Sequence, residues 1–505
     1  MRSSNAFKNL LSYFVYEALV FAAGLIFPRF IIMLYGSEIN GLTSTISRAL
    51  SLVNLIQAGA VGAAIYQMYK PVAENDFETQ SAILYSSRRY YNKITILYIF
   101  ASIVLGIVYG FYLKNDSISF FEIFLSFITL GISGAFPLFL TTICDIYVSP
   151  HQKAYFLKIS SFVNVFVHYG LLTIVLLLKL HFLYIYLAIL GGNFANALLN
   201  YIFYRRLSKG KITKNPINKN FKIPNRGYLM LSSVGTELVT TSPSLVITTI
   251  VGLAFSSVFS VYSMVFSSMR KILVSIQYSV SPIFGNVVKT SDDQKTKEVY
   301  DFIEFVTIMV GTIVSACVGF LIIPFIHVYT LNVVDMNYMY PVLAFLVVAY
   351  VFLITVRTSF NFVATVYGLF KQMCIVTIVF GITGVLLSIG CVFFFGFPYV
   401  MCGLLFYELA CIILTLYFLK KNVSWFSIKK LIIRSSFMLG LTLISVFSYL
   451  LFDWRIDSIL KWIIFALIVA LLSIIIVAVY SLIFERKQLK LLFNYIHHFF
   501  KKKKG

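Results

Sequence analysis

The chain has 505 residues, 60% of them hydrophobic and only 12% charged, whereas soluble domains run to about 45–50% apolar and about 25% charged residues. That composition excludes a water-soluble fold. The net charge of +22 would mark a nucleic-acid partner only if the bases shared one folded face; they fall instead in alternate short loops between apolar runs, which excludes that partner and makes the charge a topology signal.

Runs long enough to cross the hydrocarbon core, about 17–25 residues each, occur near 10–34, 44–66, 94–112, 120–147, 155–178, 183–204, 228–253, 256–284, 305–328, 340–367, 375–395, 400–419, 431–451 and 460–482. They predict an all-α integral membrane protein of about fourteen spans. The first run follows MRSSNAFK in the manner of a signal sequence, but it continues to Leu34 and carries Glu17 and Arg29, so it is expected to be a retained span. Of the 41 Lys and Arg residues, 32 lie on the side of the N-terminus, and only Lys114, Lys179, Arg455 and Lys461 lie in opposite loops. The positive-inside rule then puts both termini in the cytoplasm.

The stretch RRLSKGKITKNPINKNFKIPNR, residues 205–226, is the longest polar run and reads as a linker. The expected organisation is an N-lobe over 1–204, a basic cytoplasmic linker over 205–227, a C-lobe over 228–420, two further spans over 421–484, and a basic amphipathic tail over 485–505. Six spans per lobe is an even number, so the lobes would be parallel repeats about an axis along the membrane normal. YEALV at 16–20 and TELV at 236–239 agree with that repeat. The tail, in which bases alternate with Leu and Phe, is expected to lie on anionic membrane lipid. The six cysteines sit in or beside apolar runs without C-x-x-C spacing and read as packing.

A charge near the bilayer centre costs at least about 2.5–3.5 kcal/mol on insertion scales, so each one needs a partner, a cavity or a route to the interface. Arg29, Arg48, Arg270, Lys271 and Arg357 fall inside spans. Unpaired in a water-filled cleft they would form an anion site, since guanidinium binds phosphate oxygens bidentately; alternatively they snorkel, or pair with Glu17, Glu237 or Glu408. Glu17 and Glu237, each two turns into the first span of its half, are candidates for coupling to H⁺ or Na⁺. Pro28, Pro137, Pro243 and Pro341 are positioned to kink spans. No phosphate-binding loop, dinucleotide fingerprint or H-E-x-x-H motif is present in the sequence, so a transporter without enzyme activity or bound cofactor is expected.

Residues 27–78, FPRFIIMLYGSEINGLTSTISRALSLVNLIQAGAVGAAIYQMYKPVAENDFE, closely resemble the first two helices and following loop of bacterial polysaccharide repeat-unit flippases of the Wzx type. GSEINGL at 36–42, YKPVAEND at 69–76 and SSRRYYNKI at 86–94 carry the resemblance most specifically. It implies the multidrug/oligosaccharidyl-lipid/polysaccharide (MOP) exporter fold, MATE-like, with two six-helix lobes and two additional C-terminal helices. It further implies alternating-access transfer of undecaprenyl-diphosphate oligosaccharide across the bacterial plasma membrane for capsule, O-antigen or a related glycan, with a polymerase and glycosyltransferases as partners. The five intramembrane bases would then meet the diphosphate. The competing readings are a MATE-type drug or metabolite exporter, a lipid II flippase, a non-transporting scaffold, and an ion-coupled importer.

Overall fold

The computed structural model describes residues 2–54, 60–114, 117–151, 153, 155–213, 216–217, 226–451 and 456–501. Every regular element among them is helical: α1 (Arg2–Val53), α2 (Ala60–Ala73), α3 (Phe77–Leu113), α4 (Phe120–Phe136), α5 (Thr142–Val148), α6 (Tyr155–Leu177), α7 (Leu183–Ser208), α8 (Arg226–Ile250), α9 (Leu253–Thr290), α10 (Asp293–Tyr329), α11 (Pro341–Val366), α12 (Phe370–Phe395), α13 (Met401–Asn422), α14 (Lys429–Leu451), α15 (Ile459–Phe484) and α16 (Arg486–Lys501). Among the described residues, eleven stretches are long and apolar enough to cross a membrane. One of them, Leu19–Val53, contains two helices, and α8 and α9 add helices of 25 and 38 residues at the seventh and eighth expected spans. The protein is thus an all-α, multi-pass membrane protein with many candidate spans.

The second expected span needs correction. Instead of one run over 44–66, helix begins directly after Gly36 and ends at Val53, and α2 starts at Ala60. Gly36 has φ 84° and ψ 171°, a conformation that glycine adopts without steric penalty, and it splits α1 in two. The residues GSEINGL therefore form a break and a helix start. Gly41 has a second duty, because a Cβ there would overlap the Leu253 carbonyl oxygen.

YKPVAEND is likewise a stop, turn and cap. The Asp76 N–H donates to the Pro71 carbonyl at 2.9 Å, Asn75 takes φ 55°, and the Asp76 carboxylate accepts the Thr79 N–H at 3.0 Å to cap α3. That carboxyl is held below its ordinary pKa by its hydrogen bonds with Thr79. At Pro137 a π-helical segment, Pro137–Thr141, joins α4 to α5, as expected where a missing N–H interrupts the ladder. Pro28 and Pro243 lie inside α1 and α8, and Pro341 opens α11.

Packing divides the chain into two compact units, Met1–Val258 and Phe259–Gly505. In the first, α3 packs on α4, α6 on α7, and α8 on α1, so α8 joins this unit although it lies beyond the basic segment 205–227. The reason is a seam of uncharged polar groups. Asn40 donates to the Ser257 hydroxyl at 2.7 Å, Thr45 meets Thr248 at 2.7 Å and Ser256 at 3.2 Å, and Ser256 meets Ser244 at 3.3 Å; all six are buried. Between membrane helices, small residues and hydroxyls take over the role that apolar burial plays in water. A second polar chain runs from Asn164 to Asn193 (2.9 Å) to Ser133 (2.8 Å).

In the second unit α10 is the central helix, packing on α11, α14 and α15, while α13 packs on α11 and α12. Its aromatic core gathers Phe284, Tyr300, Phe362, Trp425 and Phe426.

Candidate substrate and coupling site

In the first unit, Arg29 follows Pro28 on α1 and is half-buried, beside Phe27, which stacks on Tyr169 of α6 with centroids 4.6 Å apart. Arg48 sits in the second half of α1, half-buried and engaged by a neighbour. Glu237, on α8, is half-buried and accepts the Thr240 hydroxyl at 3.4 Å. The Glu17 side chain lies outside the described residues. A groove of about 340 Å³ opens among Ala49, Leu52, Leu97, Leu105, Tyr109 and Leu245; it is apolar and includes none of these charges.

The second unit brings Arg357, Glu408 and Arg270 together. Arg357, mid-way along α11, places Nε 3.0 Å from Glu408 Oε2 on α13. The Glu408 side chain is 1% exposed and that of Arg357 14%, and the guanidinium lies over the Tyr407 ring at 5.5 Å. The contact is an ion pair without hydrogen-bond alignment, for neither Glu408 oxygen has a hydrogen-bond partner among the described residues. Arg270, half-buried on α9, acts electrostatically on the same carboxylate, whereas Lys271 is exposed. Two bases, Arg357 and Arg270, against one acid leave this region with a net positive charge. Removing a single member of such a buried pair costs about 3–5 kcal/mol.

Arg434, near the start of the apolar run 431–451, receives no role from the sequence. The structure buries it completely in the first turns of α14, with its side chain 0% exposed against Glu304 of α10, also 0% exposed. Arg434 Nε donates to Glu485 at 2.8 Å, and Nη1 donates to Glu304 at 2.8 Å and to the Asp301 carbonyl at 3.1 Å. Lys430 meets Asp301 at 2.6 Å, and Lys487 meets Glu298 at 3.0 Å. The only trace of this cluster in the sequence is the run of acids at 298, 301 and 304, which leads into an apolar span and places them near one face of α10.

No family model matches the chain, and no curated protein matches it. Solved structures do. An inward-facing MATE-family multidrug resistance transporter of the MOP superfamily superposes with TM-score 0.67 at 12% identity, covering 80% of this chain and 95% of its own. The lipid II flippase MurJ in an inward closed conformation gives TM-score 0.66 at 16% identity, covering 94% of this chain and 98% of its own. A MOP-superfamily transporter from Pyrococcus furiosus, whose binding pocket has a reversed polarity suggesting a different function, gives 0.51 at 14% identity over 84% and 95%. The chain shares the fold of these MATE-transporter and MurJ structures.

Proposed function

We propose that this protein is a flippase that carries undecaprenyl-diphosphate-linked oligosaccharide from the inner to the outer leaflet of a bacterial plasma membrane by alternating access, for assembly of a surface polysaccharide. The observation that carries the reading is the extent of the fold match. The likeness to a lipid II flippase covers 94% of the chain, leaving too few residues over to omit both α14 and α15, whereas the multidrug transporter covers 80%.

The chemistry of the spans supports the same reading. Base exceeds acid around Arg357, and Arg357 keeps part of its surface open while its carboxylate partner is closed off. A diphosphate is the ligand such cations suit, and Arg29, Arg48, Arg270, Lys271 and Arg357 are the residues assigned to it. Glu17 and Glu237 are assigned to ion coupling, with H⁺ or Na⁺ as the coupled ion. The resemblance of residues 27–78 to repeat-unit flippases points the same way, although Gly36, Gly41 and Asp76 within it serve the fold, so that part of the resemblance speaks for architecture rather than for cargo. Cytoplasmic termini, and a polymerase and glycosyltransferases as partners, complete the proposal.

The test is a leaflet assay of the lipid-diphosphate oligosaccharide in cells lacking the protein, with and without re-expression. Accumulation in the inner leaflet, relieved by re-expression, is the expected result. Normal outward delivery without the protein would reject the substrate class. Drug resistance on expression with no glycan phenotype would assign the protein to drug export, and loss of viability on deletion would assign it to lipid II.

A further inference from the structure

α16 begins directly after Glu485, where the membrane-spanning α15 has ended at Phe484. From Arg486 to Gly505 the chain has seven Lys and Arg residues and no acid. At 100° per residue, Arg486, Lys487 and Lys490 share one arc of α16, Leu489 and Leu492 lie on the far side, and Phe493 flanks the bases. Arg486 and Lys490 are exposed. Phe493 is 62% exposed beside the bases.

The start of the helix is fixed. Glu485 is held by the buried Arg434, which also grips Glu304 of α10, and Lys487 reaches Glu298. Arg486 Nε donates to the Leu482 carbonyl at 2.7 Å, which ties the first turn back to the end of α15. A helix pinned where three spans end, with one apolar arc and one basic arc, has the physical requirements for lying in a membrane interface.

We propose that α16 is a docking surface for anionic lipid headgroups, with its apolar arc in the acyl boundary and Arg486 and Lys490 on headgroup phosphates. The charge is of one sign throughout, and α16 follows one residue after the exposed Leu482, Ile483 and Phe484 that end α15; both features favour a lipid surface over an acidic protein. Because the clamp through Arg434 and Glu485 ties α16 to α10, the lipid contact is attached to the central helix of the second unit. This inference is independent of the cargo.

The experiment uses the full chain reconstituted in phosphatidylcholine vesicles with or without phosphatidylglycerol, reading backbone hydrogen exchange over residues 486–501. Slower exchange with phosphatidylglycerol, weakened by high salt, is expected. Each base contributes about fivefold to surface binding, so the double variant Arg486→Gln/Lys490→Gln should lose roughly twenty-five-fold of the phosphatidylglycerol-dependent protection. Both positions are exposed, and exchange in α10 and α14 reports whether the second unit stays intact. Equal protection in the two vesicle types, or full protection in the double variant, would overturn the proposal; protection that appears only when soluble cell extract is added would replace lipid with a protein partner.

Discussion

The seam that joins α1 to α8 and the start of α9 and the seam that joins α10 to α14, α15 and α16 satisfy buried polar groups by opposite means. The first uses six uncharged side chains, Asn40, Thr45, Ser244, Thr248, Ser256 and Ser257, and a glycine that lets backbones touch. The second uses a fully buried arginine between two glutamates, flanked by Lys430–Asp301 and Lys487–Glu298. Measured hydroxyl and amide contacts between membrane helices average about 0.6 kcal/mol each, whereas breaking one partner of a buried ion pair costs about 3–5 kcal/mol. The hydroxyl seam can therefore part in small steps, while the ionic seam holds or fails as a whole.

The largest effect is expected from breaking the ionic seam. Arg434→Met should destabilise the second unit by about 3–5 kcal/mol because Glu304 is left buried without its cation, seen as a large drop in thermal midpoint in detergent. The double change Arg434→Met/Glu304→Leu should recover most of that loss; a double variant as unstable as the single would show that the seam depends on more than charge balance. Glu408→Leu comes next, stranding Arg357 at a cost of about 3 kcal/mol. In the leaflet assay Arg357→Glu should abolish transport at normal membrane abundance, and intact glycan display would remove Arg357 from the substrate site.

Gly41→Ala probes the hydroxyl seam by steric means. The new methyl would overlap the Leu253 carbonyl and should cost about 1–3 kcal/mol as the backbones separate, read as faster hydrogen exchange at 37–53 and 244–258. Thr248→Val removes one hydroxyl from the same seam and should cost under about 1 kcal/mol. A loss near that of Arg434→Met would erase the contrast between the two seams.

The smallest effect lies at the α3 cap. The Asp76 pKa is lowered by its hydrogen bonds with Thr79, so its contribution is fully present above the unfolded-state carboxyl pKa and disappears as pH falls through the lower folded value. Exchange at 77–80 should quicken over that acid window in the native chain, and Asp76→Ala should remove the pH dependence.

Much of the architecture was legible from hydropathy alone, and the error at 44–66 shows where such reading stops. Residues 36–53 and 60–73 both look apolar, but only the backbone geometry at Gly36 reveals that one helix already begins at the break. At the candidate site, the sequence singled out Arg357 as a deep cation and offered Glu408 among its partners, and the structure brings the two together. It passed over Arg434, because a base near a span end is ordinarily solvated; that residue is buried only because α10 and the 485 turn close over it.

The sequence by itself determined that the chain must live in a bilayer, roughly where its apolar helices run, and that Arg357 is a deep cation, since each of these depends on the local density of apolar groups. The tertiary structure alone decided which acid neutralises which base, that α8 packs with α1, and that the two C-terminal spans are clamped to α10. Those outcomes depend on contacts between residues up to about two hundred positions apart, such as Thr45 with Thr248 and Lys487 with Glu298, and no local window of sequence records which helices will face one another.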